Sequence, residues 1–172
     1  MNAALFLIPL FLIRYGLMAL LNGDALKRAA HFPEMIGAER AFHGLYQLSS
    51  LALLVIPFFL TVNAASPLFI PGIAVYALGV ILLTAATVDF SKPQPTGFCK
   101  TGTYRISRNP MYVGYALYFL GCVLLTASWA LFAALCLFQF STHFMILAEE
   151  RWCLKEFGEE YRNYMGRVRG WF

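Results

Sequence analysis

The stretch YRISRNPMY, Tyr104 to Tyr112, sets two arginines, an asparagine and a proline against a long apolar run, and a pair of carboxylates, Glu149 and Glu150, ends another such run. A pocket between the two would combine hydrogen-bond acceptors, the backbone donors of a helix N-terminus and aromatic walls, which is the outline of a small-molecule site. Each part also has a plain structural use. Asn is a preferred N-cap and Pro is favoured at the first helical position, so Asn109 and Pro110 suit a helix start, with Arg108 as one more charge beside it. The glutamates suit solvated charges paired with nearby cations. A helix start alone accounts neither for Tyr104 and Tyr112 flanking the arginines nor for the acidic pair across the chain.

The elements that must position these residues are apolar. The chain has 172 residues, 60% of them hydrophobic and 13% charged, with a mean hydropathy of +0.65, outside the balance of a soluble domain. A bilayer core about 30 Å thick needs roughly 20 mostly apolar residues per helix. Five runs meet or approach this length: Ala3 to Leu21, Gly44 to Val62, Pro67 to Val88, Met111 to Leu125, the shortest, and Trp129 to Leu147. The first lacks a basic n-region and a small-residue cleavage site, so it reads as a retained helix. Nothing in the composition separates a second domain. The expectation is one all-α, polytopic membrane domain over residues 1–172, with a helix at its cytoplasmic face after the last span.

Lys and Arg collect on the cytoplasmic side of short loops. Lys27, Arg28 and Arg40 lie in the first connection, Lys92, Lys100, Arg105 and Arg108 in the third, and Arg151, Lys155, Arg162, Arg167 and Arg169 after the fifth run. The second and fourth connections, Asn63 to Ser66 and Thr126 to Ser128, carry none. Twelve of the thirteen basic residues thus fall on one face, which predicts an integral membrane protein with its N-terminus outside and its C-terminus cytoplasmic. Arg14, inside the first run, is the exception, with two readings: a side chain snorkelling along its own stem, or a contact with an acidic lipid or substrate group. The net charge of +4 follows from this bias and gives no reason to propose nucleic acid. Cys99, Cys122, Cys136 and Cys153 lack a CxxC spacing, and His31, His43 and His143 lack an HExxH-like pairing, so neither a disulfide framework nor a metal site has sequence support.

Two cytoplasmic segments concentrate the polar residues. DFSKPQPTGFCKTGTYRISRNP, Asp89 to Pro110, is broken by Pro93, Pro95, Gly97 and Gly102 and reads as a loop. EERWCLKEFGEEYRNYM, Glu149 to Met165, reads as a continuation of the last helix, with Gly158 as a kink or break.

Gly102 to Tyr112 (GTYRISRNPMY), followed by Glu149 and Glu150, the Phe157–Gly158 pair, and Tyr161 and Tyr164, resembles the integral-membrane methyltransferases, among them isoprenylcysteine carboxyl methyltransferase and the phosphatidylethanolamine N-methyltransferases. The resemblance covers about residues 89–165. It implies that S-adenosylmethionine binds on the cytoplasmic side, without a metal, between the proline-rich loop and the C-terminal helix, while a membrane lipid or lipophilic acceptor enters from the bilayer. Carried over residue by residue, Thr96, Gly97, Phe98 and Cys99 supply loop contacts, Tyr104, Asn109, Pro110 and Tyr112 shape the cofactor pocket, Glu149 takes the place of a cofactor-binding Glu with Glu150 beside it, and Asp89 matches a polar position. Asn109 departs from the His of the carboxyl methyltransferases and is closer to the phospholipid enzymes. Cys153 stands where many members have Leu.

Methyl transfer from a sulfonium needs an aligned nucleophile and a dry pocket. An amine acceptor must also lose a proton. His143 and Glu150, seven residues apart and so on one helical face, are the candidate bases, with Arg108 the third candidate catalytic residue; His143 also reads as a satisfied polar residue between helices. Met145, four residues before Glu149, stands where the carboxyl methyltransferases carry an Arg for the acceptor carboxylate. This favours N-methylation of an amino-phospholipid over an isoprenylcysteine-type carboxyl reaction. Two other readings remain open, an NADPH-dependent membrane reductase and a non-catalytic membrane scaffold. The oligomeric state is not legible.

Overall fold

The computed structural model describes residues 1–29, 33–92 and 96–171. Pro93, Pro95 and His31 lie outside the described residues. A bilayer offers no hydrogen-bond partner to the backbone, so apolar runs of this kind close their backbone groups within helices. The helices are α1 (Ala3–Leu21), α2 (Gly23–Ala29), α3 (Glu39–Phe59), α4 (Phe69–Ser91), α5 (Pro110–Thr126) and α6 (Trp129–Met165). Four of them, α1, α3, α4 and α6, are long and apolar enough to cross a membrane; α5, with 17 residues, is shorter. The fold is all-α and polytopic, and each of the five expected runs lies on its own helix.

The tightest pairing is between α4 and α5, and glycines make it possible. A Cβ on Gly121 would stand 2.5 Å from Tyr76 Cα, one on Gly114 3.1 Å from Leu83 Cα, and one on Gly79 would overlap the Tyr118 backbone. Small residues at such contacts let helix backbones approach where lipid supplies no hydrophobic drive. Tyr76, on α4, and Tyr118, on α5, then bring their hydroxyls to the same carbonyl of α1, Phe6 O. These bonds satisfy two hydroxyls in an apolar interior, where an unmatched polar group costs most.

Helix α3 runs along α6. Phe42 stacks on Phe144 with ring centroids 3.7 Å apart, Tyr46 stacks on Phe138 at 5.3 Å, and Glu39 pairs with Arg151 where the two helices leave the apolar region. Ser128 caps α6 by accepting from Leu131 N. The expected break at Gly158 is present, with φ +55° and ψ −131°. Beyond it, Tyr161 and Tyr164 turn back onto Phe98 at 5.1 and 5.5 Å.

Helix α1 is irregular. It opens as a 3₁₀ turn at Ala3–Leu7 and contains a π-helical stretch at Leu12–Leu17, which includes Arg14. A π-turn inserts an extra residue and rotates the side chains around it, and such stretches recur at functional sites. After α1, Asn22 donates to Ser91 O and Arg28 to Phe90 O. They supply donors to the final carbonyls of α4, which have no partner within their own helix.

Candidate functional site

The loop before α5 is held on one side by Asp89. Its carboxylate accepts from Thr103 N at 2.8 Å, from Thr103 Oγ1 at 3.1 Å and from Lys92 Nζ at 2.6 Å. Gly102, at φ +60°, brings the backbone so near that a Cβ would overlap the carboxylate. On the other side, Thr96 Oγ1 donates to Phe98 O, Gly97 (φ +82°) lies against the Phe157 ring, and Phe98 packs among Phe157, Tyr161 and Tyr164. Tyr164 donates to Tyr104 O at 2.6 Å. Burial raises both the Cys99 thiol and the Tyr104 phenol above their ordinary values, so each stays neutral near pH 7. In this arrangement Asp89 and Thr96 to Cys99 fasten the loop between α4 and the end of α6.

Glu149 and Glu150 part company. Glu150 is buried and ion-paired with Arg108, whose Nε and Nη2 both reach its Oε1 at 2.8 Å. The Arg108 Nη1 also donates to the carbonyls of Met165 and Val168. Asn109 does stand at the N-cap, with Pro110 at the first turn of α5, yet its side chain makes no capping bond. Ser107 Oγ accepts from Asn109 N, and the Asn109 amide donates to Gly170 O at 2.9 Å. Together with Arg108 N donating to Arg169 O, these contacts strap the C-terminal segment across the start of α5.

Glu149, one residue earlier and thus about 100° around the helix, faces a different set of groups. Tyr112 donates to it at 2.7 Å, and Tyr46 on α3 lies within electrostatic reach of it. Arg14 reaches in from α1, with Nη1 3.9 Å from Met111 Sδ, and acts electrostatically on Glu149, Tyr46 and Tyr115. Tyr104 is also within electrostatic reach of Glu149. Arg14, Tyr46, Tyr112, Tyr115 and Glu149 are each half-buried, so a charged and hydroxyl-rich cluster meets α1, α3, α5 and α6 without being sealed off.

The two other sequence expectations on α6 separate. His143 is exposed and touches the Phe144 ring, whereas Glu150 is buried, so their shared helical face does not give a shared environment. Met145 is buried at 1% exposure, and the cation near Glu149 comes from α1 instead. Sequence reasoning left Tyr46, Tyr115 and Met111 out of the site. Tyr115 lies three residues after Tyr112 and shares its helical face, a legible signal. Nothing local marks Tyr46.

The fold is a polytopic helical bundle with a carboxylate, an arginine and several tyrosines gathered among its helices. The family model for phospholipid methyltransferases (PEMT) matches residues 51–160, which is more than half of the chain and includes Tyr112 and Glu149. The chain belongs to the phospholipid methyltransferase family, and so is an integral-membrane methyltransferase. No curated protein and no solved structure matches it.

Proposed function

We propose that the protein transfers the methyl group of S-adenosylmethionine to the amine of a membrane phospholipid. The observation that carries this reading is the Glu149 carboxylate, held by Tyr112 and within reach of Tyr104, all three inside the family-matched region. A carboxylate with tyrosines near it suits a cationic sulfonium donor: the carboxylate would bind the donor's ammonium or hydroxyls, and an aromatic ring would attract the positive sulfur. The bound donor supplies an electrophilic methyl, which the acceptor nitrogen takes with its lone pair as the C–S bonding pair stays on sulfur.

The residues then have distinct tasks. An ammonium acceptor must give up one proton before attack, and Glu149, hydrogen-bonded by Tyr112, is the carboxylate placed to take it. Glu150 is less suited to the role of base, because Arg108 already holds its oxygen. Arg108 fixes the start of α5, and with it Tyr112, by binding both Glu150 and the C-terminal carbonyls. Met145 is buried and supplies no cation; the one near Glu149 is Arg14, from α1. Membership in a methyltransferase family weighs against the NADPH-dependent reductase reading.

The test is purified protein incubated with methyl-labelled S-adenosylmethionine and equal membrane concentrations of phosphatidylethanolamine and a farnesylcysteine analogue. Label in the phospholipid amine is the expected result. Label in the farnesylcysteine carboxylate, with none in the amine, overturns the reading.

A further inference from the structure

The proposed acceptor carries a phosphodiester, and α1 holds a cation placed to meet it. We infer that Arg14 anchors the phosphodiester of the acceptor lipid, with the headgroup amine turned towards Glu149. This deepens the reading above and rests on it for the identity of the acceptor.

A guanidinium inside an apolar span is costly, by at least about 2.5 to 3.5 kcal/mol near the bilayer centre, and such residues by default mark a functional contact. Arg14 stands seven residues before the end of α1 at Leu21, about 10 Å along the axis, and its long stem can carry the charge to headgroup depth. The side chain comes from the π-helical stretch and meets Met111, one residue before Tyr112, and its charge acts on Tyr115 and on Glu149. It remains half-buried, so a headgroup can approach it.

Charge complementarity selects the ligand. One cation and one carboxylate in a single cluster match a zwitterionic headgroup, whose phosphate and ammonium are separated by a two-carbon bridge. A lipid carboxylate would also attract Arg14, but the oxygen to be methylated would then lie beside the like charge of Glu149. Arg108 is committed to Glu150 and the C-terminal carbonyls, which leaves Arg14 as the arginine on the Glu149 side.

The experiment measures lipid binding, not turnover, on the full chain in a phosphate-free maltoside detergent, by native mass spectrometry. Phosphatidylethanolamine is compared with an amino-lipid of the same acyl chains that lacks the phosphate. The wild type should bind the phospholipid at least tenfold more tightly, Arg14→Met should remove that preference, and Arg14→Lys should restore most of it. Millimolar inorganic phosphate should not displace the lipid. Equal affinity of the wild type for the two lipids overturns the inference without any variant. So does a folded Arg14→Met protein that keeps the preference or loses both lipids alike, or displacement by inorganic phosphate, or tighter binding of farnesylcysteine than of the phospholipid. If the phospholipid binds through Arg14 yet gains no methyl, the anchor stands and the N-methylation reading falls.

Discussion

A carboxylate set among apolar helices has to find donors, and the two at the end of the last apolar run find different ones. Glu149 takes its proton donor from Tyr112, and Glu150 takes a guanidinium from Arg108. The first bond lies in the proposed donor site, so Glu149→Gln should weaken S-adenosylmethionine binding, as should Tyr104→Ala, which removes a buried phenol within electrostatic reach of Glu149. For Glu149→Gln the expected loss is roughly 10- to 100-fold, the value of a hydrogen bond to a charged group at about 1.5 to 3 kcal/mol. Glu156→Gln, at an exposed position on the same helix, should bind as the wild type does. Calorimetric titration of the three variants checks this, and equal affinities would make Glu149 a bystander. The second bond is structural. Breaking a buried pair leaves one charge unmatched, so Arg108→Ala should cost about 3 to 5 kcal/mol, and a melting temperature close to that of the wild type would contradict the placement.

At the scale of elements, the α4–α5 contact sets where Tyr112 stands, because α5 carries it. That contact depends on backbones meeting at Gly79, Gly114 and Gly121. A methyl group on Gly121 would press on the Tyr76 backbone, which cannot swing aside as a flexible side chain can. Gly121→Ala should therefore destabilise by about 1 to 3 kcal/mol, the usual cost of overpacking. Gly44→Ala is the control: a Cβ there meets nothing within 4 Å, and Ala is the better helix former. Thermal unfolding in detergent should separate the two variants, and equal melting temperatures would show that α4 and α5 can slide apart at little cost. The irregular turns of α1 act on the same scale, since the π-helical stretch turns Arg14 towards α5 and α6.

For the whole molecule, the sorted basic residues predict an orientation in the membrane. Reporters fused at the C-terminus and within residues 63–66 should report opposite sides, with the C-terminus and the methyl-donor site cytoplasmic. Both reporters on one side would contradict the five-span orientation. In that predicted orientation the Arg108 strap and the Phe98 aromatic packing would lie at the cytoplasmic surface.

Hydropathy alone determined the five apolar runs, because a helix that crosses lipid is written as a continuous stretch of apolar residues. The break at Gly158 and the shortness of the fourth run were legible for the same local reason. Glu149 and Tyr112 were singled out through their resemblance to a family, and the fold brings them within 2.7 Å of each other. What the sequence left undecided were the relations between helices. Seven-residue spacing put His143 and Glu150 on one face, but only the neighbours at each level made one exposed and the other buried. Asn109 carried the signature of a cap, and its side chain is taken by Gly170 instead, across 61 residues of chain. Arg14 had two open readings as long as α1 was considered alone. Its surroundings come from Met111, Tyr115 and Glu149 on other helices, and contacts over such separations are fixed by packing, which no local pattern of residues encodes.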